Sequence, residues 1–389
     1  MIKTIERENK KVYNHIIHFL KGFMFIMGKK IVCLLLAVCL LFLCGCSGGS
    51  PTLDIDDGFA SSLISRVEDV IVYETNPLTG KKNLTPEKVD LRPVAVSVNN
   101  AVESVQTSLT NADIFYETEV EGGTTRLLAV FKDISIAGQV GPVRSARIPF
   151  NDLACGHDAL FLHCGVDPVY CAAHFKNIGS DHMDINTGLA AKYGFREPNG
   201  FAYEHTMYTN ADKIKKGMEE LEKRTTTEKN TWISFLPEPE EGTGVVAATT
   251  AQDVKVVFNG GYADSFKYNA DVGVYQRIRN GSFHTDYKTG ARVSVKNIFV
   301  LKTTIRNYPD GVHREVLLNS GSGYYISDGK YEEIKWAKGD YDDPLTFTKA
   351  DGSAFSANAG NSWICIINSS GRVDFTAAPP PATSSAAAE

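Results

Sequence analysis

Long blocks of lysine and arginine are missing from this 389-residue chain, and its formal net charge is −6. Affinity for a phosphate backbone needs a concentrated positive surface, so nucleic acid is excluded as a main partner. No C-x-x-C pair occurs downstream of Cys46, which removes thioredoxin-like and zinc-ribbon chemistry. No His-Glu-x-x-His string is present, and His157, His163, His174 and His182 lack the i, i+4 spacing of a helical zinc pair. No metal and no cofactor is expected. Against these absences stand 43% apolar and 22% charged residues, the balance of a globular protein long enough for two ordinary domains.

The strongest apolar run, Ile31 to Leu43, follows Lys29 and Lys30 and precedes Ser47-Gly48-Gly49-Ser50. About 13 residues are too few to span a hydrocarbon core about 30 Å thick, so the layout is that of a signal peptide. Leu43-Cys44-Gly45-Cys46 resembles the bacterial lipobox, in which the final cysteine receives diacylglycerol before the signal is cut away. The expectation is a signal over residues 1–46, a lipid on Cys46 and a body on the extracytoplasmic face of the cell membrane. Residues 1–26 precede an alternative start at Met27 and are set aside. Cys155, Cys164, Cys171 and Cys365 are expected to be buried and inert, with one bridge among the first three left open.

Residues 47–88 are rich in Gly, Ser, Asp, Pro and Thr and read as a tether. A mixed α/β domain is expected over 89–236. Val94-Ala95-Val96-Ser97-Val98 reads as a buried strand, and Ile114–Val120 and Arg126–Phe131 as two more around the turn Glu121-Gly122-Gly123. Helical spacing, interrupted near Gly156, is expected from Ser145 to Leu162 and again over Ala211–Arg224, an amphipathic surface helix. Pro237-Glu238-Pro239-Glu240-Glu241-Gly242 marks a boundary. Beyond it, 237–375 alternates as an antiparallel β-rich domain, a sandwich or barrel, with Ser327-Asp328-Gly329-Lys330 as a hairpin turn and 376–389 as a low-complexity tail. Its tyrosines and Trp336 are expected mostly in the core. The fold class is thus α+β.

Several uncommon strings occur in order: Arg92-Pro93-Val94-Ala95-Val96, Asn99-Asn100, Ala112-Asp113-Ile114-Phe115-Tyr116-Glu117, Glu121-Gly122-Gly123-Thr124-Thr125-Arg126 and Gly141-Pro142-Val143-Arg144-Ser145-Ala146-Arg147. Further on come Thr289-Gly290, Asn297, Gly321-Ser322-Gly323-Tyr324-Tyr325, Asp328-Gly329-Lys330, Trp336 and Trp363-Ile364. Over about residues 90 to 372 the chain therefore resembles the YerB-like lipoproteins, which carry the two-part domain of unknown function 3048. The resemblance implies a two-domain envelope lipoprotein and supplies no reaction. Where that family tends to read His-x-Gly-Gly-Ser-Pro, this chain has His163-Cys164-Gly165-Val166-Asp167-Pro168, which puts any role of that serine in doubt.

The densest polar constellation is Glu117, Glu119 and Glu121 with Arg126, Arg144, Ser145 and Arg147. Positions two apart on a strand share a face, so the glutamates should line one side together, and Arg144 and Arg147 should share one face of a starting helix. One reading is a groove where arginines grip a carboxylate or phosphate on an envelope polymer. The plainer reading is an internal ion-pair network pinning the Gly141-Pro142 turn to the sheet. A hydrolase or transferase using Glu117 or Glu121, or either with Asp158, is the enzymatic alternative. His163-Cys164-Gly165 has the wrong order for a Ser-His-Gly-Cys nucleophile string. The function expected is binding rather than catalysis: a membrane-anchored adaptor for a wall-synthesis enzyme or a wall polymer.

Overall fold

The computed structural model describes residues 73–229, 232–237 and 249–376. The signal, the lipobox with Cys46, most of the expected tether, most of the 237–242 boundary and nearly all of the tail lie outside them. Among the described residues no helix is long and apolar enough to cross a membrane.

Strands dominate. In the N-terminal half they are β1 (Val94–Asn99), β2 (Ile114–Glu119), β3 (Thr125–Phe131), β4 (Leu160–His163) and β5 (His182–Asp184). In the C-terminal half the main ones are β6 (Asp253–Asn259), β7 (Tyr262–Asn269), β8 (Val274–Arg279), β9 (Asn297–Thr303), β10 (Ser320–Ser327), β11 (Lys330–Ala337), β12 (Ser362–Asn368) and β13 (Arg372–Thr376). Among the described residues three α-helices accompany them: α1 (Ile148–Gly156), α2 (Cys171–Ile178) and α3 (Ala211–Glu220). The mixed N-terminal half and β-rich C-terminal half are thus present as element content.

Their assembly differs from a separate C-terminal sandwich. Nine strands of one 11-stranded sheet run β11-β10-β9-β12-β2-β3-β1-β4-β5, with Thr249–Thr250 and Thr346–Lys349 added on β11, and the sheet passes from one half of the chain to the other where β12 pairs in parallel with β2. Ser362 to Ile366 lie opposite Ile114 to Thr118. β12 also runs parallel to β9, so it is hydrogen-bonded on both edges. This explains its unbroken Trp363-Ile364-Cys365-Ile366-Ile367: a strand buried on both faces reads as a continuous apolar run rather than an alternation. β6, β7, β8 and β13 form a second, antiparallel sheet that covers one face of the first. Phe115 on β2 stacks on Trp363 at 4.5 Å, and Phe266 on β7 meets the same indole edge-on at 5.7 Å. The opposite face receives α1 through Phe150, Leu153 and Ala154.

Three local expectations change. Leu160 and Phe161 belong to β4, not to a continued helix, because α1 ends at Gly156 and Asp158 adopts φ +54°. Arg144 and Arg147 do not open that helix either: Arg147 is the extended residue capping α1, at φ −139° and ψ 150°. The tether gives way to packed structure by Glu74, since Leu78 and Leu84 are buried and the Asn76 side chain donates to Asp113 at 2.8 Å.

Candidate functional site

The parallel strands β1, β4 and β5 end side by side at Asn99, His163 and Asp184. In an open sheet, the space beyond such carboxyl ends is where loops from different strands converge. Here the residues 143–147 run along that edge: the Arg144 amide donates to Ser97 O, and the Ala146 amide to Gly165 O, both at 2.9 Å. This ribbon brings Arg144 and Arg147 beside Arg126 at the start of β3. Arg126 is buried, and among the described residues its guanidinium makes one hydrogen bond, Nη1 to Ser145 O at 2.7 Å. Burial pushes its pKa well below the usual arginine value, and the charges of Arg147 and Arg144 push it further. Burial chiefly lowers that of Arg144 as well.

Arg147 is neutralised by Glu121, whose carboxylate it grips with Nε at 2.9 and 3.0 Å and with Nη2 at 2.5 Å. Burial alone would raise the Glu121 carboxyl, but this fork holds it below the usual carboxylate range. Arg144 has no such partner. Its Nη1 donates to Glu204 O at 2.7 Å, and its buried Nε has no hydrogen-bond partner among the described residues. The ion-pair reading therefore holds for Arg147 with Glu121 and not for the cluster as a whole.

Glu117 is elsewhere. Its carboxylate is sealed between the two sheets, accepting from Asn100 Nδ2 (2.8 Å), Thr125 Oγ1 (2.6 Å) and Trp363 Nε1 (2.9 Å). Arg277, on β8, lies 3.8 Å away and forks onto Asp264 at 2.8 and 2.9 Å. Its guanidinium sits over the Trp363 ring at 4.6 Å. Burial, then the charge of Asp264, raises the Glu117 carboxyl well above its usual value despite Arg277. The three glutamates thus do not line one groove: Glu117 serves Arg277, Glu119 lies 3.5 Å from Arg314, and Glu121 serves Arg147. A hydrolase built on Glu117 loses its solvent-accessible carboxylate. Asp264, Arg277 and Trp363 escaped the sequence reading because each meets Glu117 only across more than a hundred residues of chain, which no local spacing records.

This meeting of halves matches known sequences. Residues 78–225 match the N-terminal domain, and residues 254–364 the C-terminal domain, of the family described as protein of unknown function (DUF3048). The chain belongs to the DUF3048 family. It is 31% identical over 300 residues to the Bacillus subtilis (strain 168) protein named "Putative lipoprotein YerB", covering 75% of this chain and 85% of that one. It is also similar to the crystal structure of the YerB protein from Bacillus subtilis, with a TM-score of 0.65 at 27% identity over 77% of this chain and 99% of that chain. Glu117 and Arg277 fall one in each matched domain, so the buried network joins the two DUF3048 parts.

The remaining sequence candidates take structural places within this DUF3048 fold. His163 is fully buried, with Nε2 2.9 Å from His182 Nδ1 and Nδ1 2.9 Å from Gly165 O. Burial lowers its pKa to about 4. Asp158 caps the chain after α3, pairing with Arg224 and accepting from the Glu228 amide at 2.6 Å, so its carboxylate is committed to structure rather than set opposite Glu117 or Glu121. The four described cysteines are free; Cys171 and Cys365 are buried and Cys155 and Cys164 half-buried. Burial pushes the Cys155 and Cys164 thiols up to about 11, which leaves them poor nucleophiles. No group of three metal-ligating side chains stands together among the described residues. Ser145 joins the arginine edge mainly through its carbonyl, which accepts from Arg126 and, at 3.2 Å, from the Ser97 hydroxyl.

Proposed function

We propose that this chain is a membrane-anchored extracytoplasmic lipoprotein that binds a component of the cell envelope through the arginine edge at Arg126, Arg144, Ser145 and Arg147. The lipobox-like Leu43-Cys44-Gly45-Cys46 and the name of the Bacillus relative, a putative lipoprotein, support the anchor. One observation carries the binding role: among the described residues Arg126 and Arg144, buried and half-buried, stand together with no carboxylate in salt-bridge contact, since Glu121 is committed to Arg147 and Glu204 bonds Arg144 through its backbone oxygen while its carboxylate acts only through its charge. Desolvating a cation without a counter-charge costs several kcal/mol, roughly, so a fold that keeps such groups gains by an incoming anion. The partner is a wall polymer or a wall-synthesis enzyme presenting an acidic group.

The test is a pulldown from cross-linked membranes with the lipidated chain, beside an Arg144→Ala, Arg147→Ala variant whose fold has been verified by circular dichroism. A defined envelope component captured by the wild type and lost in the variant is the expected result. Equal capture by both would place the interface elsewhere.

A further inference from the structure

A loop from Glu197 to His205 overhangs the arginine edge and is fixed at many points. The Asn199 side chain donates to His205 O at 2.8 Å and to the Tyr208 hydroxyl at 3.1 Å. Arg196 Nη1 donates to Tyr203 O at 2.7 Å, and Asn99 Nδ2 lies 2.6 Å from His205 Nδ1. Arg144 itself holds the loop through Glu204 O. Yet this pinned loop turns its aromatics outward: Tyr203 is 71% exposed and Phe201 47%. The guanidinium of Arg196 lies 3.4 Å from the Tyr203 ring centroid and covers one face, leaving the ring oriented with its other face to solvent. Holding a large ring rigidly in water brings no burial energy to the fold. A pre-oriented flat surface does reduce the ordering cost of a ligand that stacks on it.

We propose that the edge takes an anionic carbohydrate, with the acid group at Arg144 and Arg126 beside Ser145 and the adjoining sugar ring against the free face of Tyr203. This rests on the binding role proposed above and names its ligand chemistry. The geometry supplies the two halves of such a ligand one residue apart, since Arg144 is bonded to the carbonyl next to Tyr203. Arg144 is half-buried and Arg126 makes one guanidinium hydrogen bond among the described residues, so their planar N–H groups suit carboxylate or phosphate oxygens, with the Glu204 carboxylate as the negative charge an acid group would have to displace from Arg144.

The experiment is isothermal titration of the purified full chain in detergent with four probes. These are a uronic-acid oligosaccharide, a phosphodiester-linked sugar oligomer, inorganic polyphosphate without rings, and a neutral chito-oligosaccharide. At least one anionic glycan is expected to bind at least tenfold more tightly than both polyphosphate and the neutral sugar, and the better of the two glycans identifies carboxylate or phosphate as the acid. Tyr203→Ala should weaken it about tenfold, Tyr203→Phe should restore it, and Arg144→Gln should abolish it with an unchanged circular dichroism spectrum. Polyphosphate binding as well as the glycans, or an unaffected Tyr203→Ala, overturns the proposal. If no glycan binds while the arginine-dependent pulldown still captures a protein, the ligand assignment fails and the binding role survives.

Discussion

Arg277 and Glu117 each have no solvent exposure, yet both belong to charged residue types. The group is tolerable because every oxygen and most guanidinium nitrogens have partners: Asp264, Asn100, His284, Thr125 and the Trp363 indole. Removing the cation alone leaves two buried carboxylates facing each other. Arg277→Met is expected to destabilise the protein by roughly 3–5 kcal/mol in urea unfolding, whereas conservative Thr125→Ser keeps the hydroxyl and should cost far less. Three buried histidines weaken the fold in acid, against the opposite pull of Asp113, which burial raises to about 6, and of the raised Glu117. Burial lowers His157 to about 3, His163 to about 4 and His284 to about 2. In the unfolded chain each titrates near 6.5, so the folded state binds fewer protons between these values. Their contribution is therefore present above pH 6.5 and fades as pH falls towards 4. Relative to the wild type, His157→Gln should lose less of its urea midpoint between pH 6.5 and 4; an identical pH dependence in the variant would show that this residue does not contribute.

Among the elements, the hairpin joining β10 to β11 follows directly from its turn. Asp328 and Gly329 have φ of 51° and 72°, both positive, as a two-residue turn of this hand demands. Aspartate and glycine are residues that reach that region at low cost, so Asp328-Gly329 predicted the pairing of Ser327 with Lys330 that the structure contains. A Cβ on Gly329 would also stand 2.5 Å from Gln252 Nε2 and 3.0 Å from Tyr268 Cδ1. Gly329→Ala should cost about 1–2 kcal/mol in denaturant unfolding. The Glu121-Gly122-Gly123 turn was legible for the same reason, with φ of 73° and 71° at its glycines. The helical spacing expected from Ser145 to Leu162 is present as α1 up to the expected break at Gly156, and differs beyond it. Leu160-Phe161-Leu162 is an apolar run too short to declare its period, and its pairing with β1 made it a strand.

At the scale of the molecule, the β12–β2 pairing makes the two family-defined parts one cooperative body. Every hydrogen bond on both edges of β12 is to a partner from a distant stretch of chain, and Trp363 packs between Phe115 and Phe266. Thermal unfolding should show one transition, with coincident curves from tryptophan fluorescence and far-ultraviolet circular dichroism. Residues 73–236 produced alone should be insoluble or unfolded, because β2 would present a bare apolar edge. Two separated transitions would mean that the sheet can be divided.

The sequence by itself determined the family, the predominance of strands after Pro237, the tight turns and the gathering of Arg126, Arg144, Ser145 and Arg147. All of these depend on residues close together in the chain or on strings in a fixed order. Only the tertiary structure decided which carboxylate meets which cation. Strand period placed Glu117, Glu119 and Glu121 alike, but long-range pairing sent the first into the core against Arg277 and left Arg144 with no salt bridge to any of the three. Electrostatic pairing falls off with distance in space, and the separations that matter here, Glu117 to Trp363 above all, are set by a parallel strand contact across 246 residues that no local pattern encodes.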